Sequence, residues 1–162
     1  MLAENYYSAI RVIVLALKSV RAPWAIIGSA NMALHGMDVT PNDLDISTNL
    51  DSLPVITEAL AKYKNGEPEI KQPLVAGFRE YTEQSFLIEG VDVTFCGEYE
   101  DDVYFHTFVD GEIEELNVGG VCVPVFSLLA EMRSYRMLGR EKKAKMIEEF
   151  LDRSVNVGGK RL

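Results

Sequence analysis

Residues 24–48 read WAIIGSANMALHGMDVTPNDLDIST, and few folds accommodate that order. Trp24 to Ile27 is a short apolar strand that stops at Gly28. Ser29 is placed to cap a short helix running through Asn31, Ala33 and Leu34, with Gly36 as its stop. Pro41-Asn42 signals a turn, and Asp43 to Thr48 then alternates polar and apolar residues as a half-buried strand does. Strand, short helix and strand in so few residues require a sheet with a helix folded back against it. Asp43, Asp45 and Ser47 share one face of the second strand, and Leu44 and Ile46 point to the other.

The rest of the chain extends that plan. Tyr6, Ile10, Ile13 and Leu17 fall at helical spacing, so Glu4 to Val20 reads as an amphipathic helix closed by Ala22-Pro23. Asp51 to Tyr63 reads as another, with Pro54 tolerable in its first turn. The middle is rich in strands. Phe78 to Ile88 and Val91 to Phe95 flank the tight turn Glu89-Gly90. Tyr104 to Val109 and Glu112 to Val118 flank Asp110-Gly111, the strongest hairpin signal in the chain, and Val121 to Val125 follows. Phe126 to Leu138 and Arg140 to Leu151 form two closing helices hinged at Gly139. The expected class is α/β (α+β): a mixed, largely antiparallel central sheet flanked by helices. At 162 residues the chain is expected to form one domain, 1–162, with 126–154 a closing helical segment.

Composition narrows the function. The longest apolar run near the N-terminus, Val12 to Leu17, is far short of the roughly 18 residues a membrane span needs. Cys96 and Cys122 form no C-x-x-C motif, and the chain reads as cytoplasmic with no membrane partner. A net charge of −9 argues against a general duplex-DNA binder, whose affinity rests on neutralising phosphates. The charge is uneven: eight acids and no base lie between Glu98 and Glu115, and six bases with one acid between Arg133 and Lys145. Such runs are ordinarily solvated faces. In the basic run Arg133 and Arg136 share a helix face, where they could meet a triphosphate. Lys142, Lys143 and Lys145 are expected to meet solvent or an acceptor.

Carboxylates alternating on a strand are expensive to desolvate without something positive among them. Asp43 and Asp45, about 7 Å apart along the strand, suit hard oxygen-ligated cations such as Mg2+ or Mn2+. Asp92, set among apolar residues in GVDVTF, supplies a third carboxylate if its strand lies alongside, and three can hold two divalent ions. Gly28 and Ser29, ending a strand and opening a helix, favour a phosphate. Plainer readings stay open here. Asp43 could close an Asx-turn with Asp45 on a solvated edge, Asp92 could be a surface residue beside a turn, and Ser29 could be a cap alone. Cys96 reads as a small core residue. His35 and His106 stand apart from the cysteines, and NVGGKRL lacks the full pattern of a P-loop.

The run IIGSANMALHG…NDLDIS with the later VDV resembles the nucleotidyltransferase superfamily, the fold of DNA polymerase beta. It is most similar to the minimal nucleotidyltransferases, including those of the AbiEii toxin type. The motif covers residues 24–48 and 91–95, with fifteen positions from Gly28 to Asp43. The resemblance implies metal binding and catalysis at Asp43, Asp45 and Asp92, and nucleotide binding at Gly28 and Ser29, with Arg133 and Arg136 assisting. It implies transfer of a nucleoside monophosphate from an NTP to a hydroxyl on a protein, small molecule or tRNA, with pyrophosphate released. A partner protein, as in toxin–antitoxin pairs, is a further expectation. The alternative is a module on the same fold that binds a nucleotide or partner without turnover. One departure is plain: many members carry an arginine shortly before the Asp pair, where this chain reads DVTPN.

Overall fold

A computed structural model describes residues 1–73, 75–100 and 112–158. Seven strands form one sheet: β1 (Trp24–Ile27), β2 (Leu44–Asn49), β3 (Glu69–Lys71), β4 (Tyr81–Ile88), β5 (Val91–Glu98), β6 (Ile113–Val118) and β7 (Val121–Phe126). Their order across the sheet is β3-β4-β5-β2-β1-β7-β6. Four neighbouring pairs are antiparallel, and β2–β5 and β1–β7 are parallel. Five helices accompany them: α1 (Glu4–Leu17), α2 (Gly28–Leu34), α3 (Leu53–Ala59), α4 (Leu128–Met137) and α5 (Glu141–Gly158). The expected mixed α/β sheet is the one found. No helix among the described residues is long and apolar enough to cross a membrane.

The sheet's two faces divide the labour. Ile26, Leu44, Ile46, Phe86, Val93, Phe95 and Val125 lie on one face and pack with Ile10, Ile13 and Leu17 of α1 and Ile56 of α3. Residues of this size are worth roughly 1.5–3 kcal/mol each when fully buried. Phe86 and Phe95 meet edge to face with centroids 5.6 Å apart. The opposite face carries the carboxylates. Part of it is covered by α4, where Ala25, Ile27, Phe126 and Ala130 pack together. A further cluster of Met32, Leu128, Tyr135, Ala144 and Ile147 fastens α4 and α5 to α2.

Several boundaries differ from the sequence reading. The helix expected over 51–63 is broken into 3-10 turns at Leu50–Ser52 and Ala61–Tyr63 around the seven residues of α3. Asn49 is one cause, its side chain accepting from the Ser52 amide at 2.7 Å and tightening the entry turn. The strand expected from Phe78 begins at Tyr81, and the edge strand β3 has no strong pattern in the sequence. Glu89 and Gly90 both have positive φ, 52° and 74°, as a type I′ hairpin turn requires. The Tyr104–Val109 strand and its Asp110-Gly111 turn lie outside the described residues. What is described is the β6–β7 hairpin, turned by Gly119 and Gly120.

Candidate active site

The strand register brings the three aspartates to one face of the sheet. Parallel pairing sets Leu44 opposite Val93 and Asp45 opposite Thr94. Asp43 and Asp92, each one residue earlier, emerge together at the same edge of the sheet. Because Leu44 and Val93 share the core face, Asp43, Asp45 and Asp92 share the other. Asp43, in the bend before β2, and Asp92 are exposed, and Asp45 is half-buried. Tyr6 of α1 lies close enough to feel both outer carboxylates. Its phenol is pushed up by burial and then by Asp43 and Asp92, and its hydroxyl donates to the Pro41 carbonyl at 3.0 Å.

Asp45 is the electrostatic centre. Its pKa rises to about 6, first through burial, then through Asp43 and Glu83, while Lys143 and Arg140 oppose the rise. The positive charge demanded by these carboxylates comes in part from a helix about a hundred residues away. Lys143 of α5 donates to the Ser29 hydroxyl at 3.3 Å, and its ammonium stands 5.1 Å from the centre of the Tyr135 ring. Neither Lys143 nor Arg140 is among the expected site residues, and Lys143 is expected at solvent or an acceptor rather than at Ser29. The only sequence signal for it was the basic run itself.

The turn from β1 to α2 is built differently from the expectation. Ser29 is not an N-cap: α2 begins at Gly28, with Ile27 in extended conformation before it and no side-chain cap. The Gly28 amide instead donates to both carboxylate oxygens of Glu131 on α4, 3.0 Å each. Glu131 is 2% exposed. Burial pushes its pKa up to about 8, opposed by bonds from the Gly28 amide and the Asn31 side chain. Asn31 is tied in turn to the Phe126 carbonyl at 2.9 Å. Gly28 has φ +74°, and a Cβ placed on it would sit 3.6 Å from an Asp45 carboxylate oxygen. That contact is an ordinary one, so it is the left-handed backbone that favours glycine here.

Arg133 and Arg136 are placed elsewhere. Arg133 pairs with Glu112 beside β6, and Arg136 with Glu148 at 3.2 Å and Glu141 at 3.6 Å along α5. Both are exposed, and the bases acting on Asp45 are Lys143 and Arg140. Among the described residues no three His, Cys, Asp or Glu side chains stand close enough to form a metal cluster unaided. Asp43, Asp45 and Asp92 are nonetheless the side chains that could share a cation with a bound phosphate. Magnesium commonly takes one or two carboxylates and completes its sphere with phosphate and water.

No protein-family model matches the sequence, and no curated protein matches it. A crystal structure from Thermotoga maritima, described as a candidate nucleotidyltransferase, superposes with a TM-score of 0.73. The two are 21% identical over 94% of this chain and 96% of that one. This chain has the nucleotidyltransferase fold. An antigenic nucleotidyltransferase-like protein from Paracoccidioides brasiliensis is similar at a TM-score of 0.55 and 17% identity, over 90% of this chain and 76% of its own. The likeness is to nucleotidyltransferases at large and does not single out the AbiEii-type toxins. Within the nucleotidyltransferase fold of this chain, the carboxylate edge and the β1–α2 turn adjoin one another.

Proposed function

We propose that the protein moves a nucleoside monophosphate from an NTP to a hydroxyl acceptor and releases pyrophosphate, with Mg2+ or Mn2+ as cofactor. The observation that carries this reading is the β2–β5 register, which gathers Asp43, Asp45 and Asp92 on one face beside Ser29 and Lys143. The donor set fits a hard divalent cation: all its ligands are carboxylate oxygens, and Asp45 is raised first by burial and then by Asp43 and Glu83, a cost that a cation would relieve. When bound, such a cation supplies charge neutralisation at the phosphates and a lowered pKa for a coordinated hydroxyl.

The chain's own residues take the remaining roles. Asp43, Asp45 and Asp92 hold the cation, and Asp92 receives the acceptor proton. Ser29 and Lys143 bind the β- and γ-phosphates, and Arg140 adds positive charge facing Asp45. The Gly28 amide, occupied by Glu131, shapes the turn that presents Ser29. Arg133 and Arg136, engaged with acids, steady the closing helices. The acceptor oxygen bonds to the α-phosphorus as the bond to the β-phosphate bridging oxygen breaks, its electron pair leaving with pyrophosphate.

A ligand bound only by the folded state must raise thermal stability. Mg2+ with a non-hydrolysable NTP is therefore expected to raise the melting temperature of the wild type more than that of Asp45→Asn or Lys143→Met. An equal rise in all three would place the nucleotide elsewhere. Pyrophosphate release on adding acceptor then separates an enzyme from a module that binds without turnover.

A further inference from the structure

One recess on the carboxylate face has no part in the scheme above. It holds about 140 Å3 among Ile27, Val75, Tyr81, Cys96, Met137 and Leu138. Ile27 lies opposite Asp45, and Cys96 opposite Ser47, one same-face step beyond the Asp45–Thr94 pair. The recess thus begins beside Asp45 and extends over β5 and β4, roofed by the end of α4.

Its position relative to the reacting phosphorus is informative. Displacement at phosphorus is in line, with attacking and leaving oxygens on opposite sides. Pyrophosphate leaving toward Ser29 and Lys143, at the β1–α2 turn, requires the acceptor to arrive from across Asp45. That is the side of β5 and β4, where the recess lies. Its size and charge restrict the occupant further. An apolar cavity of about 150 Å3 holds one benzene-sized ring. Glu98 lines the recess, and the Cys96 thiol on its floor is pushed well above its ordinary value, first by burial and then by Asp45, Glu83, Glu98 and Asp43. Arg79 also lines the recess, its guanidinium stacked 3.4 Å from the centre of the Tyr99 ring.

Resting on the function proposed above, we infer that this recess seats the body of the acceptor, a small uncharged or amine-bearing alcohol whose apolar part is about one six-membered ring. Its hydroxyl projects toward Asp45, which the recess adjoins at Ile27, bonds to the α-phosphorus and yields its proton to the carboxylate edge as pyrophosphate departs. An anionic acceptor is disfavoured by the floor.

The test uses the full chain with Mg2+ and a non-hydrolysable NTP, and three probes: benzyl alcohol, 4-(aminomethyl)benzyl alcohol and 4-(hydroxymethyl)benzoate. Ligand-observed NMR is expected to show the first two binding and the benzoate at least about tenfold weaker. Val75→Trp and Leu138→Trp, which fill the recess from its wall and its roof, are each expected to abolish alcohol binding. Both should leave Mg-NTP affinity within about twofold. Two variants from separate elements guard against one that fails to fold. Tryptophan variants that lose Mg-NTP but keep the alcohols would make the recess a nucleobase site and overturn the inference. So would the benzoate binding best, or no alcohol binding while Mg-NTP binds. Failure of the wild type to bind Mg-NTP would instead overturn the proposed function and this inference with it.

Discussion

Asp45→Asn is expected to make the metal-free protein more stable, and only above a defined pH. Asp45 titrates at about 6 in the folded chain against 3.8 ordinarily, chiefly from burial and then from Asp43 and Glu83. A carboxyl with a raised folded pKa contributes stability that is complete below its unfolded value and lost as pH rises through the folded one. The window for Asp45 is therefore from 3.8 to about 6. Above it the ionised side chain carries a penalty of roughly 2–3 kcal/mol, at about 1.4 kcal/mol for each unit. Asparagine keeps the shape and removes the charge, at the loss of the attractions to Lys143 and Arg140. At about pH 7.5 the variant should exceed the wild type by up to roughly 2–3 kcal/mol, and near pH 4 the two should coincide. For a chain of this length each kcal/mol moves the melting temperature by about 2–4 °C, so the gap reaches roughly 5–10 °C. Urea denaturation of both proteins at the two pH values, with a chelator present, measures it. Glu131 also titrates abnormally, and Asp45 is one of the charges that raise it, so the variant relieves Glu131 as well and the measured gap contains both effects. A variant less stable than wild type at the higher pH, or a gap independent of pH, would refute the account of Asp45 as a strained carboxylate.

Glu131→Ala should cost about 1–3 kcal/mol, because it leaves the Gly28 amide and Asn31 without their buried partner. Glu131→Gln retains an acceptor and should gain on wild type as pH rises through about 8, since the ionised form of Glu131 is the disfavoured one; thermal melts across that range decide. Lys143→Met should weaken Mg-NTP binding by roughly tenfold to a hundredfold, the worth of a charge-assisted hydrogen bond, with little change in stability, as calorimetry can show. Ser29→Ala should also weaken triphosphate binding, more than monophosphate binding, and should cost less stability than loss of an N-cap because Ser29 does not cap α2. Of the two thiols, exposed Cys122 should alkylate well before Cys96, whose thiolate is opposed by burial and four nearby acids; peptide mapping after brief treatment with iodoacetamide would show the order.

What could be read in the sequence depended on how far apart the partners lie. Period-two alternation across Leu44 and Ile46 and across Val91, Val93 and Phe95 marked which side of each strand meets the core, so the carboxylate face followed from local pattern alone. That β2 and β5 are neighbours was a condition in that reading, and the register from Leu44–Val93 to Asn49–Glu98 meets it. The helix expected over 51–63 failed where a polar side chain, Asn49, overrode helical spacing by bonding the Ser52 amide.

The site's positive side was the least legible, for a physical reason. Ser29 has the residue type of a cap, and local rules assign it that role, yet the first amide of α2 is held by Glu131, 103 residues away. A buried carboxylate costs far more than a serine hydroxyl, so nothing in the run LLAEMRSYRM marks Glu131 as interior until the Gly28 amide and Asn31 are placed around it. The same packing frees the Ser29 hydroxyl to meet Lys143. Arg133 and Arg136 carried the better local argument, three residues apart on one helix, and that same accessibility lets Glu112, Glu141 and Glu148 claim them. Lys143, shielded against Tyr135, keeps its charge directed at Ser29 and Asp45. A base that serves a phosphate must be turned away from the surface acids, and which base in a run of six is turned so is decided by how α5 seats on α2, through Ala144 and Ile147 against Met32.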